Sequence, residues 1–473
     1  MNIKRTNRIN LSVFVIGLLG LGYLWLQHAP AGVTISGWHS FILVLLFILG
    51  CVLNVAPLAT LSLVMVALLG VTGAIPAMTL FSFLGLSPVW LVLFAFFIAI
   101  GFKRTPLGKR LAYTLIKWFG RSPVTLAYTM SMVDLILAPI IPNTNARGAG
   151  ILFPINESIT DALDEKTAAP KPTLSSYLTL VTFHQNLVVG GLFLTAMATN
   201  PLAVSLANSA FHIHISWIQW FIYASVPTLV ALIGLPILIL RLHKPTIKNM
   251  QVIRDTAEKE LNGLDKMSVK EWLMIATFIL TISLWATSGI TKLDNTLIAL
   301  IGLALLLVFN VISVDDVLTE KQGWNILLWL APLIGVTEYL NGSGVIKWIQ
   351  LNLTNATKGF GLLLAGAILI LAYYYIHYFL TSVLVHIQAF FIPFALVLVG
   401  LGASPLVTTM LLALLTCVSP ATTHYGTGTA SIYFSTGFLT QREWWRIGFL
   451  VSVFEILVYV FIGLGWWKLL GMY

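Results

Sequence analysis

Apolar runs long enough to matter to a bilayer recur from one end of this chain to the other. Leu11–Leu26, Leu91–Ile100, Ile222–Leu240, Leu297–Val308 and Gly448–Leu464 are examples. A helix that crosses the hydrocarbon core needs about 20 largely apolar residues, and several of these stretches approach or reach that length. Of the 473 residues 58% are hydrophobic and 9% are charged, whereas a soluble domain carries roughly a quarter charged residues. No soluble fold hides that much apolar surface. The spacing predicts roughly ten to twelve membrane segments and an all-α polytopic membrane protein.

The first run follows Lys4, Arg5 and Arg8 and ends near Ala29-Pro30-Ala31, a pattern that overlaps with a secretory leader. We read it as the first spanning helix, because the run exceeds a leader's core and Pro30 sits inside the would-be cleavage site. The formal net charge of +9 is concentrated at Lys4–Arg8, Lys103–Arg121 and Arg241–Lys270. In a membrane chain such clusters mark the cytoplasmic edge, so a multi-pass protein of the cytoplasmic membrane with its N-terminus inside is expected, and nucleic acid is not expected as a partner. Cys51 and Cys417 lie far apart in apolar runs and give neither a disulfide framework nor metal-ligand spacing. Neither a His-Glu-x-x-His pattern nor a Walker lysine loop occurs. Enzymatic activity, a bound metal, a cofactor and direct ATP coupling are therefore not expected.

Two polar stretches organise the chain. Residues 241–272 are charged and helix-favouring, a cytoplasmic amphipathic linker between a first membrane half, 1–240, and a second, 273–473. Asn156–Pro172 carries Asp161, Asp164, Glu165, Lys166 and Lys171, too many charges for a lipid-facing span, and is read as a solvent-exposed loop. Each half contains a polar, helix-breaking patch followed by a second break inside apolar sequence. In the first half these are a hairpin near 138–175 and a broken helix near 190–202; in the second, a hairpin near 377–395 and a broken helix near 419–437. Unwound backbone at membrane depth is tolerated only where it lines a cavity, and paired breaks at corresponding positions point to a transport site at the midplane. A plain structural membrane protein does not need this pairing.

The wording of the patches is specific. Trp90-Leu91-Val92 through Phe102-Lys103-Arg104-Thr105-Pro106-Leu107-Gly108-Lys109-Arg110, then Pro142-Asn143-Thr144-Asn145-Ala146-Arg147, Phe193-Leu194-Thr195-Ala196-Met197-Ala198 and His424-Tyr425-Gly426-Thr427-Gly428, occur in order. From about Trp38 to the C-terminus the chain resembles the divalent anion:sodium symporter family, in particular its citrate/succinate antiporter and 2-oxoglutarate/malate translocator branch. The resemblance implies a homodimer of protomers with about eleven transmembrane helices. It also implies two inverted repeats, two re-entrant hairpins, and a transport domain that moves like an elevator against a scaffold. It further implies that the hairpin tips hold substrate carboxylates through Ser-Asn-Thr motifs, which by position fall on Asn143, Thr144 and Asn145 and on Ser382, Val383 and Leu384. Only Ser382 keeps the motif at the second tip, which argues against a full sodium site. The stretches that close each site correspond to Ala198–Pro201, with Thr199, and to Gly426–Thr429, with Thr427 and Gly428.

Arg147 and His386 each lie four residues beyond the start of a tip motif. An arginine at membrane depth costs at least ~2.5 kcal/mol to insert, and an anion is the expected partner. Both are therefore expected at the substrate site, supplying fixed positive charge that replaces sodium. Asp134 is expected to partner a buried basic or polar group. Trp25, Trp38, Trp90, Trp324, Trp444 and Trp445 are expected in the interfacial belts. The resulting expectation is sodium-independent exchange of 2-oxoglutarate, malate, succinate or fumarate. A sodium-coupled di- or tricarboxylate symporter and a citrate/tartrate:succinate antiporter are the alternatives.

Overall fold

The computed structural model describes residues 3–163, 172–246, 250–356, 359 and 361–473, with side chains from Val13 onward except at Thr354 and Ala356. Asp164, Glu165, Lys166 and Lys171 of the expected polar loop, residues 247–249 of the linker, and the Lys4, Arg5 and Arg8 side chains lie outside the described residues. All regular structure among the described residues is helical. Eight of these helices are long and apolar enough to cross a bilayer, among them Ser87–Arg104, Trp217–Leu242, Val383–Gly400 and Gln441–Leu469. Four shorter apolar helices, Val13–Trp25, Leu58–Val71, Pro123–Leu137 and Asn295–Val308, accompany them.

One sequence of events occurs twice. In the first half the helix Pro123–Leu137, started by a Ser122/Thr125 capping box, gives way to non-helical backbone that reverses the chain. Pro139 and Pro142 help end it by removing backbone donors. Helix resumes at Thr144 and continues through a π segment, Gly148–Leu152, to Ala162. This first hairpin is followed by a broken helix: Leu174–Leu192, an interruption at residues 193–198, then Thr199–Phe211. In the second half Leu362–Tyr375 and a 3-10 turn, Ile376–Phe379, lead to extended backbone at Leu380 and Ser382, after which Val383–Gly400 returns. A second broken helix follows, with Pro405–Val418, the 3-10 turn Ser419–Thr422, an extended stretch, and Gly428–Ser435.

The broken helices form the centre of the molecule. Every residue of Leu174–Leu192 is buried, as is every residue from Val407 to Val418. Buried unwound backbone must find partners within the protein. At the first break Asn200 Nδ2 donates to the carbonyls of Gly190 and Phe193 at 2.8 and 2.9 Å, and Trp220 Nε1 donates to that of Gly191 at 3.0 Å. Trp444 departs from the expected interfacial belt: it is fully buried, with its ring 5.0 Å from that of Phe183. Trp38 is buried as well, edge-on to Trp348. Aromatic packing claims both rings because their helices face neighbours rather than lipid.

The polar linker folds onto the first half. Its helix Met250–Asn262 lies along the amphipathic helix Leu107–Phe119, where Lys117 pairs with Glu258 at 2.8 Å and Arg254 Nε donates to the Lys117 carbonyl. The Lys117 ammonium holds the exposed Glu258 carboxyl below the usual range. Arg110 reaches Glu271 at 2.9 Å and the Asp265 carbonyl at 2.6 Å, which fastens the linker's far end.

Candidate substrate site

Four helices begin at one cavity of about 300 Å3. Asn143 is the N-cap of the helical run that starts at Thr144, and Ser382 is the N-cap of Val383–Gly400. Ala198 precedes Thr199–Phe211, and Thr427 precedes Gly428–Ser435. The first-turn N–H groups of a helix lack intrahelical partners and carry the positive end of its dipole. Ser382, Ala198 and Thr427 provide no side-chain cap to their own helices, which leaves those N–H groups for another acceptor. At the first hairpin Asn143 Oδ1 accepts from Asn145 N and Ala146 N, so that hairpin adds its side-chain amides, rather than its capped N–H groups, to the space the four helix starts share. Such termini bind carboxylates and phosphates without any cationic side chain, and no Lys, Arg or His is among the residues lining this cavity.

Asn145 links the two halves. Its Oδ1 accepts from Thr429 N at 2.9 Å, from Thr429 Oγ1, and from Thr427 Oγ1 at 3.3 Å, so a residue of the first hairpin caps the second broken helix. With Oδ1 engaged, the Asn145 amide NH2 is the group left to face the cavity. Close approach requires glycine here. A Cβ on Gly148 would stand 2.7 Å from Asn186 Oδ1 and 2.8 Å from Thr429 Cγ2, and one on Gly428 would stand 3.3 Å from Asn145 Nδ2.

The opposite wall comes from Ser87–Arg104 and Lys321–Gly342, which contribute Phe96, Gln322, Asn325, Ile326 and Trp329. Asn143 Nδ2 donates to Gln322 Oε1 at 3.2 Å across the gap. Gln322 and Asn145 also line a second, larger cavity of about 1020 Å3, at whose rim stand Lys103, Arg104 and Lys109. Lys103 pairs with Glu320 at 2.7 Å and Arg104 pairs with Asp316. Ser313's backbone N–H, and then Arg104, hold the Asp316 carboxyl below its usual range.

Arg147 and His386 stand behind the tips and are not in the cavity wall. Arg147 is fully buried; its Nε lies 2.6 Å from Asp134 Oδ1, and Asn186 Nδ2 donates to the other carboxylate oxygen at 2.8 Å. Its Nη1 donates to the carbonyls of Ile141 in the first hairpin and Ala196 in the first break, joining the two loops. At the second tip His377 plays the corresponding part: its Nε2 lies 2.9 Å from the Gly426 carbonyl, and its Nδ1 lies 3.0 Å from His386 Nδ1. Both loop pairs are thus clipped by a buried nitrogen-bearing side chain that reaches a loop carbonyl.

The defining pattern of the sodium:sulfate symporter transmembrane region matches residues 8–473. This chain belongs to that family. Among sodium:sulfate symporter relatives it is 35% identical over 451 residues to the putative malate transporter YflS of Bacillus subtilis (strain 168), covering 95% of this chain and 94% of that one. It is also 35% identical over 458 residues to chloroplastic dicarboxylate transporter 1 of Arabidopsis thaliana, covering 95% of this chain and 81% of the relative. The YdaH transporter of Alcanivorax borkumensis shares the fold at a TM-score of 0.51 and 14% identity, over 90% of this chain and 99% of that one. Membership in the symporter family makes the chain a multi-pass membrane transporter and not an enzyme.

Of the ten residues that the sequence assigned to substrate binding, eight meet at the cavity of this family member, Asn143, Thr144, Asn145, Thr199, Ser382, Val383, Thr427 and Gly428, and Ala198 and Leu384 of the same motifs line it with them. Sequence reasoning passed over Gln322 and Asn325. The available signal was two amides three residues apart at the start of an apolar helix, which places them on one face.

Proposed function

We propose that this chain exchanges small dicarboxylates across the cytoplasmic membrane without sodium, the hairpins and broken helices moving as one body against the wall formed by Ser87–Arg104 and Lys321–Gly342. The observation that carries this reading is the convergence of four helix N-termini, two from each half, on a cavity lined by no cationic side chain. A four- or five-carbon diacid, such as malate, succinate, fumarate or 2-oxoglutarate, has a carboxylate for each end of such a site. The names of the malate and dicarboxylate transporters among its relatives agree with this choice. Asn143, Thr144, Asn145, Thr199, Ser382, Val383, Thr427 and Gly428 are assigned to substrate binding. Arg147 and His386 are assigned to the clips behind them.

The clips support sodium independence. A cation between hairpin loop and broken-helix loop would be held by backbone carbonyls, and at the first loop pair the Arg147 guanidinium already occupies those of Ile141 and Ala196. Exchange follows from the exposed donors. An empty tip moving past Phe96, Ile326 and Trp329 would carry unsatisfied N–H groups through apolar surroundings, at about 1–3 kcal/mol for each. Substrate carboxylates satisfy them, so only the loaded body crosses. Arg110 and Lys117 meet the linker, whose own Arg254 lies at the same place, and this single basic edge supports a cytoplasmic linker and a cytoplasmic N-terminus. The resemblance noted above supports a homodimer, which mass photometry would register.

The test is uptake of labelled 2-oxoglutarate or succinate into proteoliposomes that are empty or preloaded with malate, in sodium or in potassium. Uptake confined to preloaded vesicles and indifferent to sodium is expected. Sodium-dependent uptake into empty vesicles would overturn the exchange reading in favour of symport, and a citrate and tartrate competition panel separates diacid from triacid preference.

A further inference from the structure

Glu455 is fully buried in the helix Gln441–Leu457, directly before a π segment, Val458–Ile462, and the ion pairs formed by described residues leave it out. Its Oε2 lies 2.7 Å from the Tyr374 hydroxyl, and that same hydroxyl oxygen lies 2.9 Å from the Val418 carbonyl. Tyrosine has one proton to give. If it goes to Val418, the contact with Glu455 is a hydrogen bond only when the carboxyl itself donates. If it goes to a carboxylate, the short contact with the carbonyl sets two acceptors against each other. Both contacts are satisfied together when Glu455 carries a proton and the chain runs from carboxylic acid to phenol to carbonyl. Oε1, which has no partner, then presents a neutral C=O instead of a bare charge.

We propose that the helix Gln441–Leu457 travels with the hairpins and broken helices to which Tyr374 and Val418 tie it, and that Glu455 is a proton-binding site of this moving body, occupied while the body crosses the membrane. Tyr374 stands at the end of the arm leading to the second hairpin tip, and Val418 ends the helix before the second break. The clasp thus joins the supports of Ser382 and of Thr427. The ionisable groups facing this region are Tyr374 and Tyr375 from the arm, Cys417 from Pro405–Val418 and Tyr459 from the helix of Glu455 itself. Trp217–Leu242 contributes Thr228, and the turn Ser419–Thr422 contributes only hydroxyls, so among the described residues no cation compensates an ionised Glu455. Ionisation would place an unpaired negative charge on a body that must pass through low dielectric, and that passage is disfavoured. Protonation removes the charge. The proton comes from water on the side of loading and is released to water as the carboxyl ionises.

This inference rests on the exchange reading, and two measurements keep the two apart. Malate-loaded proteoliposomes are assayed for exchange from about pH 6.5 to about 9, where carboxylic substrates stay ionised. Infrared spectra of the purified protein in H2O and D2O report protonated carboxyl groups directly. We expect wild-type exchange to fall at least tenfold toward high pH, Glu455→Gln to retain exchange with a flat profile, and a D2O-sensitive carboxylic C=O band to vanish in Glu455→Gln. Superimposable pH profiles, or spectra without a band attributable to Glu455, overturn the proposal. Should Glu455→Gln fail to fold, Tyr374→Phe decides: the band moves to higher frequency if Tyr374 accepts from the acid, and an unmoved band overturns the proposal. Absence of exchange in the wild type at every pH counts against the exchange reading alone, because the infrared band still tests Glu455.

Discussion

Asn145 serves two partners through one amide: its oxygen caps the helix that begins at Gly428, and its NH2 is left for substrate. Asn145→Asp separates these roles. A carboxylate still caps that helix, so the protein should unfold at close to the wild-type temperature in detergent. The lost charge-assisted donor should nevertheless weaken diacid binding by roughly 1.5–3 kcal/mol, tenfold or more in Kd, as read by calorimetry. Equal affinities would remove Asn145 from the site. Arg147 inverts the pattern. Arg147→Ala strands the Asp134 carboxylate in the core, and breaking such a pair costs about 3–5 kcal/mol. Thermal unfolding should show that loss, and adding Asp134→Asn should recover most of it. A lone affinity defect with unchanged stability would mean that the guanidinium acts on the ligand after all. The sequence rule that an intramembrane arginine seeks an anion holds here, but the anion is the chain's own. The sequence expected Asp134 to partner a buried basic or polar group without naming Arg147, because the two meet across a reversal of the chain whose turn geometry depends on tertiary packing.

Elements were more legible than contacts. Breaks near 138–143, 193–198, 376–382 and 419–427 coincide with Pro, Gly, Asn, Ser and Thr in otherwise apolar sequence, and these residues interrupt helices through missing donors and competing side-chain bonds. Which side of an unbroken apolar helix faces a cavity is decided by its neighbours, so Gln322 and Asn325 carried no comparable mark. Glu455 was equally silent, a single carboxyl in an apolar run. The short helix Val314–Thr319 permits a pH test at this scale. Asp316 caps toward Ser313 and pairs with Arg104, and its carboxyl is held below its usual value. A depressed carboxyl stabilises the folded state above the ordinary Asp pKa of about 3.9 and loses that contribution as pH falls through the lower folded value. Thermal unfolding followed from neutral pH down should therefore show a loss of stability below about pH 4 that is smaller in Asp316→Asn. Parallel curves would show that the Asp316 carboxylate, held by Ser313 and Arg104, contributes nothing to the fold.

At the scale of the whole molecule, the Asn143–Gln322 contact spans the boundary between the body proposed to move and the wall proposed to stay. Cysteines at these two positions, in a background lacking Cys51 and Cys417, should cross-link under mild oxidation and halt the exchange that the reduced variant retains with Asn143 replaced, and reduction should return that same rate. Full exchange by the cross-linked protein would refute relative motion at this boundary. The cap that Asn145 places on the second broken helix has a further consequence, one of timing. Its partner Thr429 lies 284 residues downstream. At about 5–20 residues per second, the first hairpin waits roughly 15 to 60 s in the nascent membrane protein for the segment it will cap. A contact so distant in sequence is late to form and slow to find. Ribosomes that stop anywhere in that interval release a chain whose first tip is complete and whose substrate site does not exist, so the first half is inherited as an unfinished part and never as a smaller transporter.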